Sequence, residues 1–214
     1  MSGLPRSERE RIERAVIEVV NTAAIAVRSP RSVGDAIQEL LSRELKTILG
    51  ASAKTYAGAF ARRAMADLEF VDNDDVRHVV DVKTHAEDAD FSMPNLVSVE
   101  RLAKLYENDL ACFDVLLVRY RAEVERVSAY QATFVPIEWL DWKCLRLGAL
   151  GWGQIQIRDS GAIEVREQPR TEWMCALCDA VLGFYPREIE KIRRRITRFE
   201  REAERWKTRR DGKS

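Results

Sequence analysis

The stretch DLEFVDNDDVRHVVDVK, residues 67–83, decides the fold of this chain. Two apolar runs flank a polar turn at 72–75, and this pattern predicts a β-hairpin. In the second run, Val79, Val80 and Val82 make both faces of the strand apolar, which is typical of a strand inside a covered sheet. Charged groups on such a strand need partners, because an ion without a partner is costly to bury.

Side chains alternate along a strand, so Asp81, Lys83 and His85 share one face of the second run. The position of Asp67 depends on the turn. A three-residue loop at 73–75 pairs residue 67 with residue 81, whereas a two-residue loop pairs residue 66 with residue 81. The three-residue loop would place two carboxylates and an ammonium together. Carboxylates are ligands that suit Mg²⁺, which usually keeps positions for water and substrate phosphate.

Asp67, followed fourteen residues later by Asp81-Val82-Lys83, resembles the signature of the PD-(D/E)XK nucleases, in particular as type II restriction endonucleases carry it. Ala66 replaces the proline of the motif, and Asp72, Asp74 and Asp75 are alternatives to Asp67 as the first acid. The resemblance implies a central mixed β-sheet flanked by helices, Mg²⁺-dependent hydrolysis of DNA, and catalytic roles for Asp67, Asp81 and Lys83.

A further carboxylate precedes the hairpin. Ser32 and Asp35 have the spacing of a capping box, which predicts a helix from Ser32 to about Gly50. At 100° per residue Glu44 falls within the apolar stripe of this helix, either as a site residue or in a buried ion pair. In the resembled family, a helical glutamate commonly completes the metal site.

Composition favours one intracellular domain of 214 residues, and the 35 basic and 35 acidic residues cancel. We find no apolar run near the roughly 18 residues of a membrane span and no signal peptide, so we expect a cytoplasmic protein. Cys175 and Cys178 lie within an apolar helical pattern rather than in a zinc knuckle with two further ligands nearby, and all four cysteines are predicted to be reduced thiols. His78 and His85 fall on opposite strand faces and cannot bind one metal as a pair.

The rest of the chain is predicted to alternate helices and strands. We expect helices through Ile12–Val27, over Ala53–Met65 and over Val97–Glu107, strands at Cys112–Tyr120, Val124–Val135 and Ile155–Arg158 with a return strand at Ala162–Val165, and two closing helices. No internal repeat or linker supports a domain boundary.

Two segments after the hairpin are candidates for DNA recognition, namely 91–96 and 147–157. Asn95, Gln154 and Gln156 carry amides that can bond base edges, Ser92 can bond phosphate or base, and His85 can touch a phosphate. The other interpretation of the glutamines is a solvent-facing edge strand.

The last helix, about 187–208, has a basic surface and apolar residues at spacings of three and four, which are Ile189, Ile192, Ile196, Phe199, Ala203 and Trp206. This helix would serve a homodimer or contact phosphate, or it would pack on its own domain with a solvated outer face. The sequence thus predicts a Mg²⁺-dependent, homodimeric type II restriction endonuclease acting on double-stranded DNA. The alternatives are a repair or recombination nuclease of the same fold, and a DNA-binding or assembly protein without activity.

Overall fold

A computed structural model describes residues 3–25, 30–57, 67–89, 94–123, 126–148, 152–158 and 163–212. The chain divides into two compact units, residues 1–174 and 175–214. The α-helices are α1 (Arg6–Thr22), α2 (Pro30–Leu49), α3 (Val99–Leu105) and α4 (Arg170–Asp211). The strands are β1 (Thr55–Ala57), β2 (Leu68–Val71), β3 (Arg77–Ala86), β4 (Asn95–Ser98), β5 (Ala111–Ala122), β6 (Val127–Pro136), β7 (Leu145–Gly148) and β8 (Gln154–Ile157).

The first unit is built on a five-stranded mixed sheet in the order β1-β2-β3-β5-β6. β3 and β5 are parallel, and the other neighbouring pairs are antiparallel. A separate antiparallel sheet has the order β4-β8-β7. The predicted fold class, a central mixed sheet with helices around it and helical segments towards both ends of the chain, is confirmed.

Helices α1 and α2 cover one face of the large sheet. Their buried residues recur at helical spacing, as in Ile12, Val16 and Val20 of α1, and they join a core with Val80 and Val82 of β3. The Gln38 side chain of α2 donates a hydrogen bond of 2.7 Å to the carbonyl of Val82. The even-numbered face of β3 therefore packs against the helices, as expected for a strand whose two faces are both apolar.

Of the two loop lengths that the sequence left open, the hairpin has the three-residue loop. Leu68 pairs with Val80 and Val71 with Arg77, and the Asp72 N–H donates to the Val76 carbonyl across the loop. Asp75 has a φ of 61°, the left-handed conformation that closes loops of this type.

Several predicted boundaries are wrong. Ser32 lies inside α2, which begins at Pro30, so Ser32 is not the cap of this helix. Residues 55–57 form β1 rather than a helix, and residues 97–98 belong to β4 because they lie beside β8, so α3 starts only at Val99. α1 ends at Thr22. Residues 26–29 and 58–66, which complete the first and third predicted helices, lie outside the described residues.

The end of the chain also differs from prediction. One helix, α4, replaces the two expected and continues through Pro186. In place of a return strand, Val165 forms an isolated bridge with Leu140. The predicted turn, 159–161, and the first residue of the predicted return strand, Ala162, lie outside the described residues. Within the part of the chain that the structure describes, no helix has both the length and the apolar character of a membrane span.

Candidate active site and its surroundings

Asp67, Asp81 and Lys83 are brought together at the open end of the hairpin. The Asp67 N–H donates to the Val80 carbonyl at 3.1 Å, and its carboxylate accepts from the Val82 N–H at 2.8 Å. These bonds hold the Asp67 carboxylate beside the backbone of β3. The Lys83 ammonium donates to Asp81 Oδ1 at 2.7 Å.

Asp81 is buried, and only one of its two carboxylate oxygens has a hydrogen-bond partner among the described residues. Its side chain is 7% exposed, and Oδ2 has no hydrogen-bond partner among the described residues. Burial raises the pKa of Asp81 to about 7; the charge and hydrogen bond of Lys83 act in the opposite direction, and the charge of Asp67 raises it further. A buried carboxylate oxygen without a partner is expensive. A cation at Oδ2 would supply the missing interaction, so this donor set fits a divalent metal.

The other candidates for the first acid of the motif, Asp72, Asp74 and Asp75, lie in the turn of the hairpin. Asp72 is buried, and its Oδ1 accepts from the backbone N–H groups of Asp74 and Val76, both at 2.9 Å. Asp74 and Asp75 are exposed, and Asp75 pairs with Lys54 at 2.6 Å. Of the four candidates, Asp67 is the one whose charge acts on Asp81.

Glu44 is not brought into contact with this group. It is half-buried on α2, and no hydrogen bond or ion pair of Glu44 is found within the described ranges. Leu45, rather than Glu44, lies fully buried in the apolar stripe. Helix α2 packs on the face of Val80 and Val82, whereas Asp81 and Lys83 occupy the other face of β3.

The predicted DNA-contacting residues have different environments. Ser92 lies outside the described residues. His85 is 8% exposed, so little of its ring is open to a phosphate. Asn95 is exposed and Gln154 half-buried, but Gln156 is buried at 6% exposure and is bonded within the chain at both ends of its amide.

A buried charged cluster, which sequence reasoning missed, lies on the helix-covered face of the large sheet. His78 is fully buried, with Nδ1 2.7 Å from Asp114 Oδ2 and Nε2 3.2 Å from Asp72 Oδ2. Its ring stacks on Phe70, with centroids 4.5 Å apart. Burial lowers the pKa of His78, but the charges and hydrogen bonds of Asp114 and Asp72 outweigh burial and raise the pKa above its ordinary value. Each ring nitrogen faces a carboxylate oxygen, as in an imidazolium that donates to both.

Cys112 adjoins this Asp72–His78–Asp114 cluster. Donor atoms of His78, Cys112 and Asp114 lie within 4.8 Å of one another, a spacing compatible with a metal ion. However, these groups already bond to one another. His78 contacts both carboxylates, and the Cys112 thiol donates to Asp114 Oδ1 at 3.6 Å. Burial, together with the charge of Asp114, raises the pKa of Cys112 well above its ordinary value, so the thiol stays protonated. We therefore interpret the cluster as structural.

The cysteine prediction is confirmed: Cys112, Cys144, Cys175 and Cys178 are all free. The parallel register that sets His78 opposite Cys112 joins segments far apart in the sequence. The residues two positions from His78 in the sequence, Val76 and Val80, are not carboxylates. No local pattern therefore indicated the cluster.

The chain thus defines a mixed α/β protein with an acidic, lysine-containing hairpin site. No family profile matches its sequence, and no curated protein matches it. Among solved structures, the chain is similar to the NlaIV restriction endonuclease, at 13% identity and a TM-score of 0.48 over 78% of this chain and 73% of that chain.

Proposed function

We propose that this protein is a Mg²⁺-dependent DNA endonuclease of the type II restriction class, acting in the cytoplasm as a homodimer. The observation that supports the proposal most directly is Asp81 Oδ2, a buried carboxylate oxygen without a partner among the described residues, next to Asp67 and Lys83. Structural carboxylates of this chain, such as Asp72, have both oxygens bonded.

Asp67 and Asp81 would hold the metal. Bound Mg²⁺ polarises a phosphate and lowers the pKa of a coordinated water. The chain itself contributes two further elements. The Val82 N–H holds the Asp67 carboxylate. Lys83 pairs with Asp81 at 2.7 Å, and its ammonium would stabilise negative charge that develops on a phosphate oxygen. Glu44 remains a predicted third carboxylate, and its alanine variant tests that role.

The homodimer is proposed from the seam of α4. Ile189, Ile196, Phe199 and Trp206 are 49–69% exposed in the single chain, at the spacing of a two-stranded coiled coil. Flanking charges are paired along the same helix, as in Lys191–Glu188 and Lys207–Glu204. Two copies would supply one site for each strand of a symmetric DNA sequence.

The test is cleavage of unmethylated phage DNA in Mg²⁺, with sequencing of fragment ends. We expect Asp67→Ala, Asp81→Ala and Lys83→Ala to lose cleavage, whereas Asp74→Ala and Asp75→Ala, in the exposed turn, cut as the parent does. Titration calorimetry with Mg²⁺ should show weakened metal binding for the two site aspartate variants and retained binding for Lys83→Ala. Normal cutting by both Asp81→Ala and Lys83→Ala would refute the proposal.

DNA binding gives a second measurement. Without divalent ions the carboxylates repel phosphate, so Asp67→Ala and Asp81→Ala should bind DNA at least as tightly as the parent. Ca²⁺ should support binding with little cutting, because its coordination geometry is looser. Cutting of branched DNA without sequence preference would indicate a repair or recombination nuclease. Binding with no cutting in Mg²⁺ would indicate a non-catalytic DNA-binding protein.

A further inference from the structure

A polar ladder crosses the three strands of the small sheet. Arg146 of β7 is the direct neighbour of Gln156 of β8, which is the direct neighbour of Asn95 of β4. Arg146 Nε donates to Gln156 Oε1 at 2.9 Å, and Gln156 Nε2 donates to Asn95 Oδ1 at 2.6 Å. The middle residue is buried, and the two end residues are exposed.

The direction of the hydrogen bonds determines what the ladder offers to a partner. Arginine has only donors, so the Gln156 oxygen must face Arg146, and its NH₂ group must face an oxygen of Asn95. The orientation of both amides follows. Within the described ranges, four guanidinium N–H groups of Arg146 and the NH₂ group of Asn95 are then left for other acceptors. Both ends of the ladder therefore present donors.

Gly148 makes room for the middle of the ladder. A Cβ atom at Gly148 would lie 2.6 Å from both Cδ and Oε1 of Gln156, so the amide end of Gln156 would have to shift from its present position. A glycine at this position of β7 leaves the space that Gln156 fills while it accepts from Arg146. Gly148 and the buried amide of Gln156 therefore hold Arg146 in one orientation. An arginine that was simply solvated would need neither the buried amide nor the glycine.

Donors at both ends select the chemistry of the partner. In the major groove, guanine presents two acceptors, O6 and N7, which an arginine contacts with two parallel hydrogen bonds. Strands lie about 4.8 Å apart, so the ends of a three-strand ladder are roughly 10 Å apart, which is about three base steps of 3.4 Å.

We propose that Arg146 is a specificity-determining residue that donates to guanine in the major groove, and that Gln156 and Asn95 are positioning residues that hold it. This inference rests on the proposed function. It replaces the sequence prediction for Gln156, which orients the reading group instead of contacting a base itself.

The experiment selects sequences from a pool of randomised DNA duplexes in Ca²⁺ and sequences the bound fraction. The parent should enrich a symmetric site containing guanine. Arg146→Lys keeps the positive charge but loses the planar fork, so enrichment of that guanine should fall by roughly 5- to 150-fold while affinity for unrelated duplexes stays within about threefold. Gln156→Leu and Gly148→Ala should lose enrichment at the same position, with far-ultraviolet circular dichroism showing that they fold.

Arg158→Lys is the matched control. Arg158 is an exposed arginine directly after β8, bonded through Nη1 to the Lys143 carbonyl, and its variant should keep the parent's preference. If Arg146→Lys keeps the guanine preference, the inference is wrong while the nuclease proposal stands. A uniform loss of affinity on all sequences would identify Arg146 as a phosphate contact and equally overturn the inference. If the parent neither binds nor cuts DNA, both proposals fail.

Discussion

Replacing His78 by glutamine tests the buried charged cluster. The substitution leaves Asp114 and Asp72, which are 2% and 6% exposed, without their shared cation. It also breaks the contacts of 2.7 and 3.2 Å between the ring and the two carboxylates. Breaking a buried ion pair by removing one partner costs about 3–5 kcal/mol. At about 2–4 °C per kcal/mol for a protein of this size, the midpoint of thermal unfolding should fall by about 6–20 °C.

The same cluster predicts how stability depends on pH. Because the pKa of His78 is raised in the folded state, its contribution is complete below the unfolded value of about 6.5 and is lost as pH rises through the folded pKa. The groups that face the ring are Asp114 of β5, Asp72 of the turn and the neutral Cys112 thiol. The free energy of unfolding should therefore decline above pH 6.5 in the parent, and this decline should be smaller in His78→Gln.

Urea unfolding at half-unit steps from pH 5.5 to 9 measures both effects. Asp75→Asn is the control, because it removes the 2.6 Å pair with Lys54 on the same hairpin, but that pair is 54–65% exposed and is worth at most about 1 kcal/mol. A loss below about 1 kcal/mol in His78→Gln, or an unchanged pH dependence, would refute the assignment of a buried imidazolium.

Three other substitutions address the remaining features. Ile196→Glu should convert a dimer into a 24.6 kDa monomer in sedimentation at micromolar concentration, whereas Arg195→Glu beside it should not; a parent that sediments as a monomer would contradict the proposal that the seam forms a dimer. Arg170→Met removes the partner of Glu138, whose side chain is 1% exposed and 3.0 Å from the guanidinium, and should cost about 3–5 kcal/mol in denaturant titration; a loss under 1 kcal/mol would show that Glu138 is satisfied by its other bonds. Asp75→Gly relieves the positive φ of 61° and should raise the unfolding midpoint by a few degrees, since glycine adopts this conformation without a steric penalty; a lower midpoint would show that the Lys54 pair outweighs the backbone.

Local features of the hairpin could be predicted from sequence. The two apolar runs and the acidic turn between them predict the hairpin, but they leave a two-residue and a three-residue loop open. The structure has the three-residue loop, which brings Asp67 to Asp81. The seam of α4 is equally local, because its spacing alone places Ile189 and Ile196 on one side of a helix. The fold class was implied by the resemblance of Asp67 and Asp81-Val82-Lys83 to a nuclease signature.

The features that the sequence did not predict depend on pairing between segments that are far apart in the chain. Val97 and Ser98 fit a helix by pattern, yet they extend because β8 offers backbone hydrogen bonds at that edge. His78 and Asp114 are 36 residues apart, and no local pattern shows that a parallel pairing would join them. Two closing helices were predicted, the last at about 187–208, whereas α4 continues through Pro186 as one helix.

The Asp72–His78–Asp114 cluster has a consequence for folding fidelity. β3 and β5 are rich in valine and leucine, and a slip of two residues would keep each apolar side chain on its face, because strand side chains alternate with a period of two. Such a slip moves one strand by roughly 6.6 Å against the other, which would separate His78 from Asp114 or force the ring to reorient away from Asp72. Misaligned pairings of this apolar centre would then contain buried charges without partners. The cluster thus favours the native register of β3 and β5, because it widens the energy gap between the native sheet and sheets with misaligned strands.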